Sequence, residues 1–408
     1  MGEKTVSRRR VFYIPGYDPV HPRRYRELYR TEGRSQADIS GYDLTLAAGP
    51  RGEGFGWSVE AEIEGARVET RFEVLIWADI VRDSMPGSIP ATYAQLVRTA
   101  WTYIASGALW RLMRLRKGPV IAALYPVGML LLQLAVALLT GALAGWMALA
   151  VAGAWVPGAM AGGLFALVLG AVAWAVLRWC QRNDGRFLAY YLMHDYAYSA
   201  RWNGANPPPL EARMAQFTDR IAAALTEEVD EVLVVGHSSG AHLGVSVLSD
   251  LLRAGRIPSG GPTLSFLSLG QVVPMVSFLK AAHRLRADLA YLSAQEMTWV
   301  DVTAPGDGCA FALCDPVAVT GVAPADQRWP LVLSAAFTQT LSPARWAVLR
   351  WRFFRLHFQY LCAFDRPGDY DYFRITAGPR TLGDRFAHRA PSKSRITRAV
   401  SKFTAQAA

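Results

Sequence analysis

The sequence has little charge and little cysteine, and it lacks several signatures outright. Charged residues are 19% of the chain against 52% hydrophobic, which excludes a disordered protein. The composition also excludes a coiled coil and a collagen-like fibre, and no internal repeat is visible. The four cysteines, Cys180, Cys309, Cys314 and Cys362, include no C-x-x-C pair. That excludes a disulfide scaffold and points to reduced thiols in a cytoplasmic compartment. No zinc-finger spacing or RNA-recognition signature accompanies the net charge of +10, so nucleic acid is not the expected partner. No signal-peptide core follows the polar, basic residues 1–10, because the apolar run at 11–14 is too short. Val6 stands where a myristoylation motif wants Ser or Thr. The N-terminal segment is therefore expected to stay in the cytoplasm.

The longest absence is of charge. Between Lys117 and Arg178 there is no ionisable acidic or basic side chain for 60 residues. No soluble domain of this size needs such a stretch, and a bilayer crossing needs about 20 apolar residues. Two crossings and a short turn fit: 120–143, 157–177 and a turn near 153–158. Arg111, Arg114, Arg116 and Lys117 precede the stretch, and Arg178, Arg182 and Arg186 follow it. Basic flanks at both ends favour an even number of crossings, with both termini cytoplasmic. Gln133 is the one strongly polar side chain deep in the span. With no ionisable residue there, the hairpin reads as an anchor and not as an ion pathway.

What surrounds the hairpin alternates between strand and helix patterns. Val11-Phe12-Tyr13-Ile14 is a short β-branched and aromatic run that ends in Pro15-Gly16. Residues 57–80 read as a hairpin or meander turning at Glu64-Gly65, with 72–80 as its last strand. Residues 21–34, 90–116, 179–201 and 210–227 read as helices. Further strands are expected at 231–235, 263–269 and 297–303, which implies an α/β protein with a mainly parallel sheet. The basic tail beyond Arg380 is expected to be disordered or to lie on the membrane surface. The organisation is 1–117, the hairpin 118–177, 178–375 and the tail 376–408.

Gly236-His237-Ser238-Ser239-Gly240 carries the chemistry. It is G-x-S-x-G between an apolar strand and an apolar helix, the setting in which that pentapeptide is informative. The glycines let the chain turn sharply, so Ser238 stands exposed at the turn. The amide of Ser239 lies at the helix N-terminus, where a developing oxyanion is stabilised.

With this motif the chain resembles the α/β-hydrolase superfamily, specifically its serine esterases and lipases. The resemblance covers 11–117 and 178–375, with the transmembrane hairpin inserted between two sheet strands. It implies an α/β-hydrolase-type, mainly parallel sheet with helices on both faces. It also implies an oxyanion loop after an early strand, which Tyr13-Ile14-Pro15-Gly16-Tyr17 matches in position. The family often has His-Gly there, whereas this chain has Pro15-Gly16; the amide of Tyr17 would be the second donor. The superfamily's order is Ser, acid, His. Asp307, in Ala304-Pro305-Gly306-Asp307-Gly308, fits the acid, with Asp301 and Asp315 as alternatives. His357 and His388 follow the acid; His357 lies in an aromatic stretch resembling the His-x-x-Tyr of some lipase-like hydrolases, and His388 lies in the basic tail. His237 reads as the ordinary x of the motif, and His194-Asp195 precedes the nucleophile and breaks the order.

The expected function is a membrane-anchored serine hydrolase cleaving a carboxylic ester, an acyl lipid among the candidates. It needs no metal or organic cofactor, and its partners are the lipid bilayer and the ester. Acyl transfer by the same triad, or a non-catalytic hydrolase-like membrane scaffold, are the alternatives.

Overall fold

Among the described residues eight strands make one sheet: β1 (Arg8–Ile14), β2 (Asp43–Ala48), β3 (Gly56–Ile63), β4 (Ala66–Val74), β5 (Glu231–His237), β6 (Thr263–Leu269), β7 (Thr298–Thr303) and β8 (Leu331–Ser334). Their order is β2-β3-β4-β1-β5-β6-β7-β8. The computed structural model describes residues 5–49, 54–85, 87–152 and 154–407. The chain divides into two compact units, one of Met1–Asp83, Tyr103–Val120 and Trp202–Ala408, the other of Ser84–Thr102 and Ile121–Arg201.

The protein is α/β, as expected, but its sheet is mixed and not mainly parallel. β4, β1, β5, β6, β7 and β8 pair in parallel, while β2, β3 and β4 pair antiparallel. The cause is local. Glu64 and Gly65 both take positive φ, 56° and 77°, which is the two-residue turn that reverses a strand onto its neighbour. Parallel neighbours need a crossover instead, and helix Ser239–Arg253 supplies one between β5 and β6. β5 is buried along all seven residues. That suits a run of Val and Leu flanked by strands on both edges.

Ile14 of β1 pairs in register with Gly236 of β5, which sets the loop after β1 beside the turn after β5. At the other end of these strands a buried ion pair joins Arg9 Nε to Glu231 Oε2 at 2.6 Å. Its remaining groups are bonded as well. Ser265 Oγ and Leu382 N donate to Glu231, and Arg9 donates to the carbonyls of Gly378 and Arg380. A buried pair is tolerable only when satisfied in this way.

Three expectations change. The strand placed at 72–80 stops at Val74, and helix Ala78–Ser84 follows. The helix placed at 90–116 is broken by Gly107, at φ 72°, between Ile89–Ala105 and Ala108–Leu115. The tail is packed and not loose. Ile396 donates to Leu313 O and accepts from Asp315 N, and Ala405 O accepts from Arg286 Nε. Backbone partners of this kind outweigh the tail's polar composition.

Helix Lys117–Ala152, which enters the second unit at Ile121, and helix Gly158–Arg182 are both long and apolar enough to cross a membrane. They cover the expected 120–143 and all but the first residue of 157–177, Pro157 being the N-cap, and they extend beyond Leu143 and Leu177. At 25 residues the shorter one reaches about 37 Å, against a hydrocarbon core of about 30 Å. The turn expected from 153 lies between them, with Gly153 outside the described residues. Small residues bring the helices together: a methyl on Gly141 would stand 2.6 Å from Leu169 O, and one on Gly145 would stand 2.7 Å from the Phe165 ring. Apolar side chains such as Leu139, Val151 and Leu167 point outward. Gln133 is buried, and both its amide atoms lack a partner among the described residues.

Candidate active site

The turn after β5 is built by its glycines. A β-carbon on Gly236 would lie 2.6 Å from Gly240 O, and one on Gly240 would lie 2.0 Å from Ile14 O. Only hydrogen fits at either place. Ser238, between them, takes φ 58° and ψ −121°, a conformation non-glycine residues avoid. Strain of this type costs of order 1–3 kcal/mol and persists where its surroundings enforce it. Here Ser238 N donates to Leu269 O at 2.9 Å and Ala241 N to Ser238 O at 3.1 Å. The side chain is half-buried and stands at the start of helix Ser239–Arg253.

The loop after β1 closes on this turn. The position a β-carbon of Gly16 would take is 3.0 Å from Ser238 Cβ and 3.4 Å from its Oγ. Pro15 O accepts from the buried Trp77 indole at 3.0 Å, which holds the loop in place. Tyr17 follows Gly16 and is buried, and Ser239 is the first residue of helix Ser239–Arg253.

The expected acid and base meet. His357 Nδ1 and Asp307 Oδ2 are 2.7 Å apart, and both residues are buried. A carboxylate only accepts, so it is Nδ1 that donates, and Nε2 is the ring nitrogen left outside this bond. Asp307 sits on a tight turn in which its own N–H donates to Ala304 O. Its Oδ1 accepts from Cys309 N at 2.8 Å and its Oδ2 also from the Tyr360 hydroxyl at 3.0 Å. Burial alone would raise the Asp307 carboxyl. The charge and hydrogen bond of His357, with the Cys309 and Tyr360 donors, outweigh it and hold the group below the usual carboxylate value. Tyr360 is itself fixed by accepting from Ala304 N.

His357 is also held through its backbone. His237 Nε2 donates to His357 O at 3.0 Å, and the two rings lie 4.9 Å apart. Burial, and then the neighbouring His357, push His237 down to about 3, so it donates as a neutral imidazole. The position a β-carbon of Gly270 would take is 3.1 Å from His357 Cε1, and Gly270 follows the Leu269 carbonyl that binds Ser238 N. Ser238 and His357 therefore flank one short segment. Among the described residues Ser238 Oγ makes no hydrogen bond, so the serine–imidazole contact is not closed here.

The other acids and bases are occupied elsewhere. Asp315 caps helix Pro316–Thr320 by accepting from Val317 N and Ala318 N. His388 is exposed on the tail. His194 bonds Gln95 in the second unit, where burial lowers it to about 4. Asp301 lies within β7 and accepts from Ser268 Oγ at 2.6 Å. Burial pushes Asp301 up to about 8, with the Ser268 bond lowering it and Asp315 raising it.

That shift has a measurable consequence. An unfolded aspartate gives up its proton near about 4, and folded Asp301 keeps its own to about 8. Across that window the folded state binds more protons, so stability falls as pH rises. Asp301→Asn removes the titration. Its thermal midpoint is expected to pass that of the wild type by several degrees at about pH 8 and to lose that lead at about pH 5. Parallel pH slopes for the two proteins would refute this.

One ligand atom each from Asp307, Cys309 and His357 lie within 4.8 Å of one another. Carboxylate, thiol and imidazole are zinc-type donors. Sequence reasoning missed this set and the roles of His237 and Tyr360; the only signal was the His-x-x-Tyr spacing. Comparison with protein-family models, with curated proteins and with solved structures finds no match.

Proposed function

We propose that the chain is a membrane-anchored serine ester hydrolase of α/β-hydrolase type, with both termini and the sheet unit on the cytoplasmic side. The observation that carries the proposal is the buried Asp307–His357 hydrogen bond beside a serine held at positive φ between two obligatory glycines. His357 Nε2 takes the proton of Ser238 Oγ as the oxygen bonds the ester carbon. The carbonyl oxygen, now negative, faces the amides of Tyr17 and Ser239. When the tetrahedral carbon collapses, His357 returns the proton to the leaving alcohol. Water repeats the cycle on the acyl-serine and releases the acid. Asp307 keeps the imidazole in the required tautomer. Two membrane-length helices favour an amphiphilic ester such as an acyl lipid.

The test is labelling of full-length protein in detergent by a fluorophosphonate probe. Wild type is expected to label, and Ser238→Ala is not. A second reading, a metal-binding membrane scaffold, is supported by the Asp307, Cys309 and His357 donor set. It requires zinc in the same preparation, lost in Cys309→Ser, and a folded wild type that stays unlabelled. A competing alcohol that collects the acyl group in place of water would turn the reading to acyl transfer.

A further inference from the structure

The segment that leads to His357 is basic and aromatic. Helices Pro343–Leu349 and Phe353–His357 are joined by Arg350, Trp351 and Arg352. Residues 343–357 hold four arginines and no acid. Arg345 is engaged with Asp365 at 3.2 Å and Glu32 at 3.4 Å, which pins the first helix. Arg350, Arg352 and Arg355 are exposed, and among the described residues none pairs with a carboxylate. Between them stand Trp351, 72% exposed, Val348 at 55% and Phe353 at 45%. The Arg350 guanidinium lies 5.6 Å from the Trp351 ring centre. Clustered apolar side chains of this size on a surface mark an interaction site. Tryptophan and arginine together suit the headgroup layer of an anionic membrane, where the ring is half-immersed and the guanidinium meets phosphate.

Its place in the fold says which surface covers it. A β-carbon on Gly308 would lie 3.2 Å from Phe353 Cδ1. Gly118, the second residue of helix Lys117–Ala152, also stands against Gly308, its own β-carbon position 3.2 Å from Gly308 O. Phe353 and the start of a membrane-length helix thus share one neighbour within one unit. Arg116, just before that helix, donates to Ala312 O at 2.8 Å and fixes the chain there. The exposed aromatic segment adjoins the point where the chain passes from the sheet unit into an apolar helix.

We propose that residues 348–355 are a second membrane contact, an interfacial segment seated on an anionic lipid surface. It rests on the membrane half of the proposed function and not on the chemistry of Ser238. Seating also bears on the acid turn. Phe353 of the segment lies against Gly308, and Trp346, two residues before the segment, stands 2.7 Å from the β-carbon position of Gly306, so the two rings flank Asp307.

Hydrogen–deuterium exchange tests this on the full chain in nanodiscs. One set is phosphatidylcholine, the other equal parts phosphatidylcholine and phosphatidylglycerol. Amides of 348–355 are expected to exchange more slowly with phosphatidylglycerol, the difference shrinking about fivefold for each arginine replaced. It should vanish in the combined Arg350→Gln, Arg352→Gln, Arg355→Gln variant and in high salt. Trp351→Ala should reduce protection in both lipids. Equal exchange in the two lipids, with 120–143 and 157–177 protected, overturns this proposal alone. Exposed exchange in those two helices overturns the anchor and this proposal together. Protection by polyuridylate RNA and not by lipid would overturn it in favour of a nucleic-acid surface.

Discussion

Asp307→Asn is expected to lower kcat/KM for a simple ester about 10,000-fold while leaving the fold intact. The size follows from the tautomer. Cys309 N–H needs an acceptor and faces Oδ1 of Asp307. In the variant the amide oxygen therefore stays there, and the amide nitrogen takes the place of Oδ2, against His357 Nδ1. An amide nitrogen only donates, so Nδ1 must accept and Nε2 must carry the proton. That ring cannot take a proton from Ser238. The Tyr360 hydroxyl, which donates to Oδ2 in the wild type, can turn and accept, so the second proton of the amide nitrogen finds a partner. Asp301→Asn and Asp315→Asn touch no atom of this chain and are expected to hold kcat/KM within a few-fold. Esterase assays on the three variants, with thermal midpoints beside them, decide the matter. If Asp301→Asn carries the loss, the acid has been misassigned.

Much of this site was legible because its central part is local. G-x-S-x-G needs only a strand before it and a helix after it, and both have plain apolar patterns in 231–235 and 241–252. Asp307 and His357 lie 50 residues apart, and no periodicity joins them. They became legible only through the order of residues in a family that the chain resembles. The uncharged stretch was legible for a different reason, since 60 residues without charge leave room for two helices of membrane length and a turn. His237 was not. Nothing in the motif says that its ring would reach the carbonyl of a residue 120 positions away. The tail misled because composition speaks to solvation and not to backbone pairing. Ile396 and Val400 are held by N–H and C=O groups of the body, which leave no trace in the choice of side chains. The mixed sheet is intermediate. The Glu64-Gly65 turn was readable, but the strand that it reverses belongs to the same sheet as the parallel set, and only pairing shows that.

Two glycines near Ser238 should then fail in different ways. Gly240→Ala places its methyl 2.0 Å from Ile14 O, a backbone atom that cannot rotate aside. Either the turn or the end of β1 must move, and both are tied into the centre of the sheet. A loss of about 3–5 kcal/mol is expected, enough to leave a marginally stable domain largely unfolded. Gly185→Ala, where no atom lies within 4 Å, is the control and should change stability by no more than about 0.5 kcal/mol. Gly16→Ala is gentler in space, with 3.0 Å to Ser238 Cβ, 3.4 Å to His237 O and 3.4 Å to Ser238 Oγ. Its relief is a shift of Ser238 itself or of the loop that carries the Tyr17 amide. A displacement well under 1 Å costs little stability, yet misplacement on that scale is worth about 100-fold in rate. Gly16→Ala is therefore expected to fold, to keep its thermal midpoint within a few degrees and to lose most of its esterase activity. Chemical denaturation and ester turnover, measured side by side on the three variants, separate the two effects. A Gly240→Ala protein as stable as the Gly185→Ala control would mean that the loop after β1 does not close on the serine turn, and the oxyanion assignment would fall with it.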